Sequence, residues 1–313
     1  MEITAIHHSD LPDVAQGSSI FGSRQWASAY GQGFRSFRIS DKGRTIGSFC
    51  LYKGGRLGIS YLITPPWAPH IGLEYDIHSE KKVGRHGESK SIHKCIAEFL
   101  SQASERVVDI TLATDEQDSQ PYTWTGLDVR PRHTYHLDLM QDTEVLFDAL
   151  SPSRRKNIRK AEKDGLKVDS CKDVDVFMGL IDLTIQRQGL TLDRKILRGI
   201  LNSPELQDYR DMYVCSGSSG ILAASLVVHD RQRAYYLIGG HVGDGGHEGA
   251  GTLCLWKAML DAKDRGQRIF DLEGSMIPSV ERYYRGFGGE MMTFFQVRTA
   301  DALGRLALKW KER

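Results

Sequence analysis

Apolar positions in the second half of the chain follow two spacings. Over 173–188, Val176, Leu180 and Leu183 recur at helical intervals, and 193–201 continues as a second helix. The stretches 211–215, 221–229 and 234–240 are instead short runs rich in Val, Leu and Tyr, broken by GSSG at 217–220 and by Arg231–Arg233, which predicts three antiparallel strands. Ahead of them, Ser151 as cap and Pro152 in the first turn open a helix that Gly165 stops, and 166–170 reads as a strand. After the third strand come GGHEGAGT, a helix through Trp256 and Met259 to about 264, a strand at 269–272, a helix near 280–284 and a strand at 293–297.

The first half gives a compatible order. Strands are expected at 35–39, 45–52 and 57–63, joined by DKG and KGG turns, then a helix at 91–103 and strands at 107–111 and 134–139. At a constant offset of 162 positions, Arg106 meets Arg268, Asp109 meets Asp271, Tyr122 meets Tyr284 and Gly126 meets Gly288. With the matching element order, these coincidences favour an internal duplication.

Composition narrows the class. The chain has 313 residues, enough for two domains, with 41 Lys plus Arg against 40 Asp plus Glu, so no global field recruits nucleic acid or a membrane surface. Any polyanion has to be met by a local patch. The five cysteines lie far apart without a C-x-x-C, which argues against a disulfide framework or a cysteine zinc site. The longest clean apolar run, Ile221–Val228, is far below the roughly 20 residues of a membrane helix, and MEITAIHHSD lacks the layout of a secretion signal. A cytoplasmic protein without membrane insertion is expected. One local patch exists: seven basic residues fall between 154 and 167, with Lys156, Lys160, Lys163 and Lys167 on one helical face and Ile158 and Ala161 on another. Such a stripe reads first as a solvated face.

LSPSRRKNIRKAEKDGLKV at 150–168, FDLEGSMIPSVERYYRGFGGE at 270–290 and YTWTGLDVRPRHTYHLDL at 122–139 resemble the opening, closing and junction motifs of the FemABX-like transferases, which are tandem units of the GCN5-related acyltransferase (GNAT) fold. The resemblance extends to the BioF2-like acetyltransferase domain. It implies an α/β (α+β) chain of two tandem GNAT-like acyl-CoA N-acyltransferase units, each a mixed sheet flanked by helices. The division expected is 1–140 for a degenerate first unit, 141–300 for the unit with the substrate site, and 301–313 for a docking helix built on Leu303, Leu306 and Trp310. Tyr284 stands where the family's closing pattern carries Lys, which weakens a cell-wall-precursor role.

The same resemblance assigns candidate chemistry. Arg155, Asn157 and Arg159 match the family's Arg-x-Asn-Ile-Arg pattern, and guanidinium forks suit phosphate or carboxylate. Gly249 and Gly251 close a loop that in simpler members wraps the pyrophosphate of acyl-CoA, although Gly246 and Glu248 depart from the pattern, and a flexible turn is the other reading. Asp271 and Glu273 share a strand face at the cleft. Asp271 reads as structural, while Glu273, with Thr111 at its counterpart position, is a candidate general base. Tyr284 lies four residues before Gly288, the spacing of the Tyr that protonates a departing thiolate, while Tyr122 in the same register allows a structural role. Tyr236, Ser275, Arg282 and Arg285 complete the substrate side.

In the first unit, Trp26, Tyr61, Trp67 and Tyr75 lie near the prolines of TPPWAP, where Tyr61 and Trp67 are candidates to wall a cleft and Trp26 reads equally as core. The histidines show no metal-ligand pattern, so no metal is expected. The function expected is acyl or aminoacyl transfer from acyl-CoA or a charged tRNA to a small-molecule amine, without DNA. The alternative is a non-catalytic binding or sensing protein on degenerate GNAT units.

Overall fold

The computed structural model describes residues 1–188, 193–243, 246–274 and 276–311. In chain order the elements are β1 (Glu2–Ile6), α1 (Arg24–Ser28), β2 (Phe34–Asp41), β3 (Arg44–Arg56), β4 (Ile59–Ile63), β5 (Glu74–Tyr75), α2 (Lys82–Ser101), β6 (Val107–Thr111), α3 (Gln120–Trp124) and β7 (Asp128–Asp138). There follow α4 (Thr143–Ala149), α5 (Pro152–Lys163), β8 (Lys167–Ser170), α6 (Val174–Gln188), α7 (Arg194–Asn202), β9 (Arg210–Gly217), β10 (Gly220–His229) and β11 (Arg233–His241). The chain ends with α8 (Ala250–Asp264), β12 (Ile269–Asp271), α9 (Pro278–Arg285), β13 (Glu290–Ala300) and α10 (Ala302–Lys311).

Two compact units result: Met1–Arg132 with Thr293–Arg313, and His133–Met292. The sequence places 293–300 with the second unit, whereas these residues belong to the first. In unit 1 the strand order is β1-β2-β3-β4-β6-β13, with β5 against β3. In unit 2 it is β7-β12-β11-β10-β9-β8. Each is a mixed sheet in which one pair is parallel, β4 with β6 and β11 with β12. Each sheet thus takes its last antiparallel strand from the other repeat: β7, from the first repeat, pairs with β12, and β13, from the second, pairs with β6. The offset of 162 carries Asp128–Asp138 onto Glu290–Ala300 end to end.

Local sequence explains most elements. The Ser151 side chain caps α5 by accepting from the Arg154 N–H, Pro152 sits in its first turn, and Gly165 follows its end at φ 79°. Central strand β10 is apolar almost throughout and buried along its last eight residues, as a strand covered on both faces must be. Helix α8 packs against it and buries nine of its fifteen residues. The unit 1 core gathers Phe37, Phe49, Leu51, Ile96 and Ile110, with Trp26 and Tyr122 fully buried.

Two expectations change. The KGG segment is no turn: β3 continues to Arg56, with the Tyr61 ring over Gly54, and the reversal falls on Leu57–Gly58, both left-handed at φ 51° and 78°. Helix α10 does not dock through Leu303 and Leu306, which are 53% and 57% exposed. It seats Gly304 against the Arg106 carbonyl and is pinned by Arg106 to Asp301 at 2.6 Å. The Trp310 side chain lies outside the described residues. No helix among the described residues is long and apolar enough to cross a membrane.

Candidate active site

In unit 2, the parallel pairing of β11 with β12 ends at Tyr235 opposite Asp271. Beyond that point β11 runs on to His241 while the other chain leaves the strand at Leu272, so the two diverge. On its other edge, β11 carries a bulge that leaves Leu237 without a partner in β10, between the Leu226–Ile238 and Val227–Tyr236 pairs. Diverging strands and a bulge expose main chain and re-aim side chains at one place.

Into this opening the chain turns through two left-handed residues, Glu273 at φ 59° and Gly274 at φ 57°. A side chain at 274 would collide with the His133 carbonyl at 2.0 Å, so glycine is required there, and Glu273 takes the strained backbone beside it. Asp271 beneath is buried and accepts hydrogen bonds from Thr134 Oγ1 at 2.6 Å, His136 Nε2 at 2.9 Å and the Glu273 N–H at 2.9 Å. Burial acts to raise the Asp271 pKa, but His136, Thr134 and that N–H outweigh it, and the net shift is downward. Asp271 is therefore the structural carboxylate that the sequence suggests. Glu273 has the opposite surroundings: its Oε1 is enclosed with no hydrogen-bond partner among the described residues, and burial followed by the Asp271 charge pushes its pKa well above the usual range.

Tyr284 on α9 faces the same place, its pKa raised by burial, then by Tyr283 and by Glu273. Its ring meets Tyr236 edge-on at 6.0 Å. Helix α9 is held by Tyr135 donating to Glu281 Oε1 at 2.6 Å, with Arg285 Nε on the same oxygen at 2.9 Å. Arg285 thus braces its own helix, and Arg282 is exposed. Glu273, Tyr284 and Tyr236 are the predicted residues that the fold brings together. Ser275 lies outside the described residues, and Tyr61 and Trp67 belong to unit 1.

The basic helix divides its arginines. Arg155 donates to the Asp148 carbonyl at 2.5 Å and Arg159 stacks over Phe147 at 5.3 Å, so both turn toward α4. Arg154, not singled out by the motif spacing, lies 4.3 Å over the Tyr283 ring and reaches Thr252 Oγ1 at 3.3 Å, joining α5 to α8 and α9. The Asn157 carbonyl backs onto Gly249, where an added Cβ would lie 2.3 Å from it. Along the outer face, Pro152, Arg155, Lys156, Arg159, Lys160 and Lys163 line an open groove of about 500 Å³.

The described part of the loop before α8 is held by its own side chains. The Gly249 N–H donates to His247 Nδ1 at 3.0 Å, His247 Nε2 is 3.0 Å from Asp164, and Glu248 pairs with Lys160 at 2.5 Å. The Gly249 N–H is thus taken within its own loop, the His247 and Glu248 side chains are tied to Asp164 after α5 and to Lys160 on it, and Gly249 itself is placed by packing against α5. Gly251 alone has free room beside it, with the Tyr283 hydroxyl 3.8 Å from where a Cβ would stand.

Unit 1 shows the counterpart closed. Thr111, at the Glu273 position, donates its N–H to Thr64 Oγ1 at 2.7 Å and its carbonyl accepts from Ile71 at 3.0 Å, so the strand ends are bridged. Tyr122, the counterpart of Tyr284, is fully buried against His93 at 2.9 Å.

Residues 152–285 match the family model described as the acetyltransferase (GNAT) domain. The crystal structure of FemX superposes over 94% of this chain and 97% of its own at a TM-score of 0.66 and 12% identity. The C-terminal domain of a protein from Agrobacterium fabrum assigned as a lysylphosphatidylglycerol synthetase covers 96% and 94% at 0.62 and 11%. A tandem GNAT protein from the clavulanic acid pathway covers 95% and 98% at 0.50 and 11%. No curated protein matches the sequence. Residues 152–285 thus match a GNAT acetyltransferase domain, and the likeness of the whole chain to FemX is one of fold.

Proposed function

We propose that the protein transfers an acyl or aminoacyl group to an amine in the cleft of unit 2. The observation that carries this reading is the divergence of β11 and β12 with the bulge at Leu237, which opens the sheet where Glu273, Tyr284 and Tyr236 converge. A carbonyl placed there meets main-chain groups fixed by the sheet, the arrangement that stabilises a developing oxyanion without reorganisation. No covalent enzyme intermediate is needed when an amine is oriented against an activated carbonyl.

For the donor, a charged tRNA is favoured over acyl-CoA. In the described part of the loop before α8 the Gly249 N–H is taken by His247 and Glu248 adds a negative charge paired with Lys160, while the groove on α5 offers Arg155, Lys156, Arg159 and Lys163 to phosphates. The A. fabrum domain that shares this fold carries the name of a lysylphosphatidylglycerol synthetase, a product that bears an aminoacyl group, which supports the same direction.

The test is a matrix of aminoacyl-tRNAs and acyl-CoAs against a library of amines, read by mass spectrometry of the products. Amide formation dependent on a charged tRNA supports the reading. Transfer from acyl-CoA alone reverses the donor assignment. Saturable binding without turnover from any donor replaces it with a binding or sensing role.

A further inference from the structure

Two carboxylates stand two residues apart at the end of β12, and only one is furnished for a negative charge. Asp271 takes three donors, from Thr134, His136 and the Glu273 N–H. Glu273 takes none among the described residues, and its Oε1 is sealed from solvent. The groups facing it are Asp271 on β12, Tyr235 on β11 and Tyr284 on α9, while His136 on β7 gives its donor to Asp271. A carboxyl with one oxygen enclosed and no donor among the described residues, beside a second that is ionised, is driven toward its neutral form. Where surroundings drive two such groups apart, the ionised member and the neutral member take different roles.

We propose that Glu273 is the proton donor of the transfer, entering the reaction as the neutral acid and not as the base that its strand-end position suggests. The inference rests on the acyl-transfer reading above. The amine nitrogen attacks the acyl carbon, forming the C–N bond as the carbonyl π pair moves onto oxygen. When the carbonyl re-forms, the bond from carbon to the donor's oxygen or sulfur breaks, the electron pair leaves with that atom, and the Glu273 proton goes to it. The nitrogen, positively charged after attack, then returns one proton to the Glu273 carboxylate. The products are the amide and the protonated leaving group, with Glu273 again an acid. The left-handed turn at Glu273–Gly274 fixes the carboxyl at the cleft, so the group need not reorganise between the two proton transfers.

Two measurements test this. Infrared difference spectra of the ligand-free full chain, jumped from neutral to alkaline pH, are expected to show loss of a protonated-carboxyl band that Glu273→Gln lacks; no such band overturns the proposal. With a donor that supports transfer, the ratio of wild-type to Glu273→Gln kcat/KM cancels the acceptor amine's own titration. That ratio is expected to be about 100-fold or more near neutrality and to fall as pH rises through the Glu273 ionisation. A ratio that rises instead makes Glu273 the base and overturns the proposal. Glu273→Asp, which keeps a carboxylic acid, is expected to restore part of the ratio and separates loss of the acid from loss of the fold. Failure of the wild type to transfer from any donor defeats the acyl-transfer reading, an outcome distinct from either spectral or pH result.

Discussion

Asp109 and Asp271 occupy one position in two copies of the same arrangement. Each is the third residue of its strand, opposite a parallel neighbour, Ile63 or Tyr235, and an antiparallel one, Arg298 or His136. Each carboxylate is held by that antiparallel residue and by the one two positions before it: Arg298 with Gln296, and His136 with Thr134. The two holding pairs are themselves related by the offset of 162, so the carboxylate and its clamp repeat as a unit.

Asp271→Asn is expected to destabilise unit 2 by about 3 kcal/mol at neutral pH, the scale for breaking a buried pair. Because the folded pKa of Asp271 is lowered, its ionised form contributes stability above the unfolded value near 3.9, and that contribution is lost as pH falls through the folded value. Urea unfolding of both proteins between pH 2 and 7 should therefore converge at the acid end. A constant difference across that range would contradict the clamp.

Glu273 carries the opposite sign. Its raised folded pKa means that the unfolded chain ionises first, so this residue lowers stability progressively as pH rises above about 4.3. Glu273→Gln should match the wild type in thermal unfolding near pH 4 and exceed it at pH 8.

The groove on α5 should behave as a phosphate-binding surface. Lys156→Ala combined with Lys163→Ala is expected to weaken tRNA binding and to flatten the dependence of log Kd on log salt by about 1 to 2 in slope, as each lost phosphate contact removes about 0.7 to 0.9. Fluorescence anisotropy over a salt series reads both quantities. An unchanged slope would place the tRNA elsewhere.

Gly249→Ala should cost about 1 to 3 kcal/mol, since its Cβ would strike the Asn157 carbonyl of α5 at 2.3 Å. Gly251→Ala, with open space beside it in the first turn of α8, should leave stability unchanged or raise it by up to about 1 kcal/mol. Denaturant unfolding of the two variants distinguishes packing from conformational freedom as the reason for this glycine-rich run.

Features written in neighbouring residues were legible in the sequence. The Ser-Pro start and Gly stop of α5 and the GSSG hairpin are local signals that the structure bears out, whereas Asp271 and Glu273 do not share a strand face, because β12 ends at Asp271 and Glu273 follows in a left-handed turn. What escaped depends on residues far apart. Thr134 and His136 are an ordinary strand pair until Asp271 is set beside them, and Arg154 gains its place only from Tyr283 and Thr252. The Gly54 segment imitates a turn because the Tyr61 ring that covers it comes from the next strand. The opposite surroundings of Asp271 and Glu273 cannot be read from spacing, since they depend on donors from β7 and on the left-handed turn that carries Glu273 off the strand.

The exchange of β7 and β13 has a consequence for synthesis. Arg298, which closes the sheet over Asp109, emerges from the ribosome only after the whole of the second repeat has been made. The first repeat must wait with β6 uncovered on that side, an edge open to wrong partners while translation continues. Cutting the chain between its repeats would therefore yield two fragments that each lack a strand, and co-expression of the two pieces is the arrangement in which both sheets can be completed.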